Sequence, residues 1–331
     1  MNIGIAYKNF AAWQNISHIG LGVAAQLNAQ YLNANGYNAT VVAARNNIDI
    51  VDALRKEPYD VFIISAPWLK PFDLNNILLA FPKTQFVINI HSNVGFLQAD
   101  PGGVSLLRTY INMTGEHSNL RIGSNCQRFA NWLGLAYGIT VPVFMNLYPF
   151  TKVTKTYPAL HSINIGTFGA IRPQKNVMTA AATALAIHRL TNLPVEFSVS
   201  TGREDGGGNV ILSAVRQMCG NIPGFNLVER FWSDWTTFKA IVAQQDLLIQ
   251  MSYTESFNLV TADGASVGVP SLVSSAIDWA PDQWKVPIDD ALGAANIGVH
   301  ILQHRQRMAQ LGTNALQEHN EDGFELWKKN L

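Results

Sequence analysis

Charged residues are scarce in this sequence. Asp, Glu, Lys and Arg make up 14% of 331 residues, and 23 basic side chains balance 23 acidic ones. A neutral chain excludes the simplest kind of nucleic-acid binder, a basic domain. Cysteine is rarer still. Cys126 and Cys219 stand far apart and no C-x-x-C spacing exists, so neither a zinc site nor a redox pair is supported. Two buried thiols in a reducing compartment are the plain reading. Long apolar runs are missing too, so no membrane-spanning helix is expected. The opening residues, MNIGIAYKNF, lack the charged, apolar and cleavage regions of a secretion signal and read as a first strand. The expected location is therefore cytoplasmic, and the N-x-[ST] triplets at Asn15, Asn38 and Asn112 are read as chance.

What is present is an ordinary apolar fraction, 48%, together with 29 Asn. The amides make a polar surface with little charge. The length suits two domains, each with its own core. Short apolar runs at Asn2–Ala6, Ala39–Ala43, Val61–Ser65, Phe86–Ile90 and Leu120–Gly123 read as strands. Gly22–Asn35 between the first two carries apolar residues at helical spacing. Buried strands separated by helices imply a parallel sheet covered on both faces.

The pattern restarts beyond residue 160. Strands are expected at Ser162–Phe168, Val195–Thr201, Phe225–Glu229, Leu247–Gln250 and Ser271–Ser274. Helices are expected at Asn176–Leu190, Asn209–Cys219, Trp232–Gln244, Asn258–Val267 and, last, Asn314–Lys328. The stretch Asn146–Pro158 breaks both periodicities and is the linker candidate. The sequence thus predicts an α/β protein of two Rossmann-like domains, residues 1–155 and 156–313, facing a central cleft. Residues 314–331 form a terminal helix expected to pack back toward the first domain. Ligands in such sheets bind at the carboxyl ends of the strands. Residues 1–155 hold 11 basic and 7 acidic side chains, and residues 156–331 hold 12 and 16. A positive first domain would steer a polyanion toward it.

Three stretches carry the chemistry. The first is Ser17-His18-Ile19-Gly20-Leu21-Gly22-Val23, after the first strand. Its glycines suit close approach of a ligand to the backbone, or simply a tight turn. As a dinucleotide motif it is incomplete, because no acid follows the second strand where a ribose would be held. The second is Gly166-Thr167-Phe168-Gly169-Ala170-Ile171-Arg172-Pro173-Gln174-Lys175-Asn176. Its two cations lie in a loop at a strand's carboxyl end and form either a phosphate clamp or a pair of solvated charges. The third is Glu255-Ser256-Phe257-Asn258-Leu259-Val260-Thr261-Ala262-Asp263. Glu255 ends the loop after Leu247–Gln250 and Asp263 lies inside the following helix; an offset of eight is just over two turns and puts both acids on about one side. The amides of Ser256, Phe257, Asn258 and Leu259 would form an anion-binding helix N-terminus. The plain alternative is a dipole-complementing acid plus a solvated one.

Taken in this order, the stretches resemble the GT-B glycosyltransferases of family 4, a retaining, nucleotide-sugar-dependent group. Gly169 to Lys175 fits its G-x-x-x-x-x-K loop. Glu255 to Asp263 fits its E-x(7)-E motif, with Asp at the second position, and Gly268-Val269-Pro270-Ser271 looks like its G-x-P-V strand entry. The resemblance implies that Arg172 and Lys175 neutralise a donor diphosphate, Glu255 binds donor-sugar hydroxyls, Asp263 binds the ribose and Gly22 lies close to the diphosphate. His91, in Ile90-His91-Ser92-Asn93, would be the family's histidine at the donor sugar. Arg172 stands two residues beyond the position where the family's arginine usually follows the loop glycine. The co-substrate implied is a UDP-sugar such as UDP-glucose, and no other cofactor. No D-x-D motif is present, so no metal is expected. The acceptor is a hydroxyl, by default on a saccharide, alternatively on a hydroxymethylated DNA base. A sugar-nucleotide epimerase, a non-catalytic nucleotide-sugar binder and an NAD-dependent oxidoreductase are the rivals. His300 and His304 have helical metal-ligand spacing but no third ligand nearby.

Overall fold

The computed structural model describes residues 1–9, 19–153 and 155–331, and it divides into two compact units, 1–149 with 319–331 and 150–318. In the first unit, strands β1 (Asn2–Lys8), β2 (Asn38–Ala44), β3 (Val61–Ser65), β4 (Gln85–Ile90) and β5 (Leu120–Ser124) form a parallel sheet in the order β2-β1-β3-β4-β5. Helices α1 (Ile19–Ala34), α2 (Asn47–Lys56), α3 (Pro71–Ala80), α4 (Val94–Leu97), α5 (Pro101–Thr114) and α6 (Gln127–Tyr137) connect them.

Strand β3 shows why four consecutive residues, Val61 to Ile64, are apolar before the strand ends at Ser65. All five residues are buried, with Phe62 and Ile64 in one core cluster and Val61 and Ile63 in another. A strand with helices over both faces needs apolar residues on both of its own. Gly4 makes room for this packing, since a Cβ there would lie 2.4 Å from the Phe62 ring.

The second unit repeats the plan. Strands β6 (Ile163–Thr167), β7 (Val195–Ser200), β8 (Phe225–Arg230), β9 (Leu247–Gln250) and β10 (Ser271–Val273) are parallel, in the order β10-β9-β6-β7-β8. The helices are α7 (Val177–Thr191), α8 (Gly208–Cys219), α9 (Trp235–Ala243), α10 (Leu259–Ser266), α11 (Ala291–Gln303) and α12 (Arg305–Asn330). The strand order reverses direction between β6 and β9, and such switch points open a crevice at the strand ends.

Helix α12 starts at Arg305, nine positions earlier than the sequence suggests, and its last residues belong to the first unit. Phe324 and Trp327 join the cluster of Ile3, Ile5, Val61, Val87 and Phe144. Trp327 is 1% exposed, meets Phe144 edge-on at 4.9 Å and donates its indole N–H to the Met145 carbonyl at 2.8 Å. Asn320 closes a two-way bond with the Tyr148 backbone, accepting at 2.7 Å and donating at 2.8 Å.

The charge asymmetry disappears once the units are drawn by structure. The first holds 11 basic and 10 acidic side chains, and the second 12 and 13. Lys152 and Lys155 fall in the second unit, and Glu321, Asp322 and Glu325 in the first. No positive field distinguishes the first unit, which corrects the expectation drawn from residues 1–155.

Candidate active site

Most of the residues singled out by sequence converge at the β6/β9 switch point of the second unit. The β6 loop turns at Gly169, whose φ of 115° belongs to the region that favours glycine. Ile171 is then held on both sides of its backbone. Its N–H donates to Arg203 O at 2.9 Å, and its carbonyl accepts from Asp205 N at 2.9 Å. Gly208 permits this clamp, because a Cβ there would lie 2.1 Å from Ile171 O. Arg172 follows directly and is half-buried. Burial pushes its pKa down, the Glu255 charge works against that, and the Arg203 charge adds to it. The guanidinium stays ionised.

A 3₁₀ turn, Pro173–Lys175, ends at Asn176 in a left-handed conformation. Asn176 donates to Ile288 O at 2.7 Å and accepts from the Tyr253 hydroxyl at 3.2 Å. Tyr253 N donates to Gln174 O at 2.9 Å, so the β6 and β9 loops are tied together.

Across this junction Lys175 Nζ lies 2.5 Å from Glu255 Oε1, with the two side chains 15% and 11% exposed. The Asn258 amide donates to the same oxygen at 3.0 Å. Burial is the largest influence and would raise the Glu255 pKa, but Lys175, Ser252 and Arg172 together outweigh it. The carboxyl is held below its usual range.

Asn258 also ends the loop. Its φ is 67°, and its Oδ1 accepts from Thr261 N at 2.9 Å and from the Thr261 hydroxyl at 3.0 Å, which caps α10. Ser256 and Phe257 therefore precede the helix, Asn258 is its cap and Leu259 its first residue. The Phe257 side chain is buried, packs on Trp279 with ring centroids 5.6 Å apart, and its carbonyl takes the Trp279 indole N–H at 2.6 Å.

Two placements differ from the sequence reading. Residues 255–258 are not helical, so the two-turn arithmetic does not apply, and Glu255 and Asp263 enter separate networks. Asp263 is 2% exposed and accepts the Trp235 indole N–H at 2.9 Å. Gly20 and Gly22 lie inside α1, not in a loop before it. Gly22 is buried where a Cβ would meet the Tyr7 ring at 3.0 Å, so its missing side chain makes room for packing. Ser17 and His18 lie outside the described residues.

His91 belongs to the first unit, at the end of β4. Asn89 Nδ2 and Asn125 Nδ2 each lie 3.4 Å from one of its ring nitrogens. A neutral imidazole has one acceptor nitrogen and can take a hydrogen bond from one of these amides, whereas a protonated ring can take none. Burial pushes the His91 pKa down to about 4, so the ring is neutral at neutral pH. The unfolded chain would take up a proton near the ordinary histidine value of about 6.5, before the folded one does. Folding stability is therefore expected to fall by up to about 3 kcal/mol as pH drops from about 6.5 to about 4. Urea unfolding of wild type and His91→Gln across that range checks this. Equal acid sensitivity in the two would refute it.

Sequence reasoning missed Arg203 and Tyr253, and it gave no role to Asn176 or Trp235. Of these, Arg203 had a signal, the Gly206-Gly207-Gly208 run that closes its loop at the end of β7. His300 and His304 have ring centroids 4.4 Å apart, and His304 Nδ1 lies 2.9 Å from the His300 carbonyl. Among the described residues no group of three or more His, Cys, Asp or Glu is placed to hold a metal ion, and no helix is long and apolar enough to cross a membrane.

No protein-family model and no curated protein matches the chain. Solved structures do. Sucrose-phosphate synthase from Thermosynechococcus elongatus superposes with a TM-score of 0.69 at 12% identity over 99% of both chains. The catalytic domain of starch synthase IV from Arabidopsis thaliana, bound to ADP and acarbose, does so with 0.68 at 9% identity over 100% of this chain and 99% of that one. A variant of S. aureus TarM, in complex with fondaparinux, alpha-GlcNAc-glycerol and UDP, gives 0.64 at 14% identity. That match covers 86% of this chain and 58% of TarM. The chain has the fold of the GT-B glycosyltransferases: two α/β units, each with a five-stranded parallel sheet.

Proposed function

We propose that this protein is a retaining glycosyltransferase that moves a hexose from a nucleoside diphosphate donor to a hydroxyl acceptor. The observation that carries the reading is the meeting of Arg172, Lys175 and Glu255 at the switch point, beside the N-terminus of α10. UDP and ADP complexes among proteins of this fold support a nucleotide ligand.

In the reaction the bond from the anomeric carbon to the diphosphate oxygen breaks, and the acceptor oxygen bonds to that carbon on the same face. The acceptor proton passes to the departing phosphate oxygen. Negative charge grows on the diphosphate, and Arg172, Lys175 and the first amides of α10 stabilise it. Glu255 accepts hydrogen bonds from donor-sugar hydroxyls.

A saccharide is the proposed acceptor. With 11 basic against 10 acidic side chains in the first unit, the charge argument for a DNA acceptor is gone. A thermal-shift screen of nucleotide sugars, followed by acceptor arrays read by mass spectrometry, tests the function. Donor-dependent mass gain on a saccharide supports it. An epimerised donor formed without any acceptor would replace the transferase by an epimerase. Two side-chain cations can do the work of a metal at a leaving diphosphate, so turnover is expected to survive EDTA. Complete loss that Mg²⁺ reverses would contradict this.

A further inference from the structure

We infer that the Lys175–Glu255 ion pair is loosened whenever a diphosphate binds, and that Glu255 thereby makes the site favour a nucleoside diphosphate sugar over the nucleoside diphosphate left after transfer. The inference rests on the donor-site reading above and adds to it a means of product rejection.

The starting point is a resting pair that is short and largely enclosed. Lys175 Nζ and Glu255 Oε1 are 2.5 Å apart, at 15% and 11% side-chain exposure. The backbone is fixed on both sides of the pair, so only the side chains are left to move. Lys175 closes the 3₁₀ turn fixed by Asn176, and Glu255 is gripped by the Asn258 amide at 3.0 Å. Asn258 is itself fixed by Thr261 and lies 3.4 Å from Gln250 Oε1. An incoming diphosphate must therefore draw on an ammonium already committed to a carboxylate. Shared between two anions, that ammonium holds each more weakly.

The consequence depends on what else the ligand brings. A nucleoside diphosphate sugar offers Glu255 hydroxyl donors as Lys175 turns toward the phosphates. A bare nucleoside diphosphate offers only more acceptors. It also carries up to about one extra negative charge, because a terminal phosphate has a second ionisation near pH 6. Glu255 is then left enclosed with its cation partly withdrawn and a second anion beside it. Leaving a buried charge without compensation is strongly unfavourable. Phosphate charge alone would rank the two ligands the other way, since the cations at this site attract the more highly charged one more strongly.

Calorimetric titration of wild type and Glu255→Gln with UDP, UDP-glucose, ADP and ADP-glucose tests this. For the base that binds, wild type is expected to hold the nucleotide sugar about tenfold more tightly than the nucleotide, the scale of one charged hydrogen bond. In E255Q no carboxylate is stranded. The nucleotide should then bind about tenfold more tightly than it does to wild type, and the sugar nucleotide less tightly. E255Q binding the nucleotide no more tightly than wild type would overturn the inference while leaving the donor site in place. If E255Q does not fold, the order in wild type decides, and a preference for the bare nucleotide overturns the inference. No binding of any of the four to wild type would remove the donor-site reading, and the inference with it.

Discussion

Lys175→Ala is expected to lower turnover at least about tenfold, because a charged hydrogen bond to the leaving diphosphate contributes about 1.5–3 kcal/mol. It should also weaken UDP binding. The variant carries a second signature. Removing Lys175 leaves Glu255 enclosed with the Asn258 amide, the Ser252 hydrogen bond and the charge of Arg172. Breaking a buried pair from one side costs about 3–5 kcal/mol, and the remaining exposure of both groups places this pair toward the lower end. The sign of its pH dependence follows. In wild type Glu255 is held below the usual carboxylate range, so its contribution to stability is present at neutral pH and is lost as pH falls. In the variant the largest influence lowering its pKa is gone. The pKa rises, and protonation relieves the unpaired charge. The stability gap between the two proteins should therefore narrow between about pH 7 and about pH 4.5 in urea unfolding. An unchanged gap together with unchanged kinetics in a folded variant would show that the pair is neither buried in effect nor part of the site.

Trp327→Ala should destabilise the first unit by about 3–5 kcal/mol, the usual range for removing a large aromatic side chain from a core. The indole is 1% exposed, lies edge-on to Phe144, and satisfies the Met145 carbonyl. Trp327→Phe keeps a ring in the cluster and loses the hydrogen bond, so it should cost less, with about 1–3 kcal/mol for the carbonyl left unsatisfied. Hydrogen exchange resolves where the loss falls. Protection should drop in β1, β3 and β4, whose residues share the Trp327 cluster, before it drops in β6 or β9. Equal loss in both sheets, or none, would show that the terminal helix is not what closes this core.

How much of this could be read from the sequence depended on what each segment contacts. The runs Val61–Ser65 and Leu247–Gln250 coincide with their strands because every residue in them is buried. Apolar residues mark the start and body of each, and a buried polar residue, Ser65 or Gln250, closes it. The start of α1 was misplaced because glycine reads as loop, and only the Tyr7 ring against Gly22 explains a glycine there. The early start of α12 was hidden by polar residues after His304. The Glu255–Asp263 spacing was visible, but not the left-handed turn at Asn258 that separates the two acids. Asparagine abundance looked uninformative, yet Asn176 and Asn258 take positive φ at the two loops that form the site. The Lys175–Glu255 pair was beyond a linear reading. It exists because β9 pairs with β6 across the switch point, with β7 and β8 on the other side, and strand order is set by packing rather than by neighbours in the chain.

The assignment of residues 319–331 to the first unit bears on how the protein is made. On a ribosome the chain grows from its first residue, so most of the first unit emerges early. Its sheet face of Ile3, Ile5, Val61, Ile63 and Val87 nevertheless lacks Trp327 until the last turns of α12 are released. All residues of the second unit have been synthesised by then. The later unit is thus free to complete its core before the earlier one, reversing the usual order of vectorial folding. A nascent chain stalled before Trp327 has that face packed by Ala25, Ala29, Leu32, Phe144 and Leu147 but lacks the indole that completes it, and a protease or an aggregation partner would meet the first unit rather than the second.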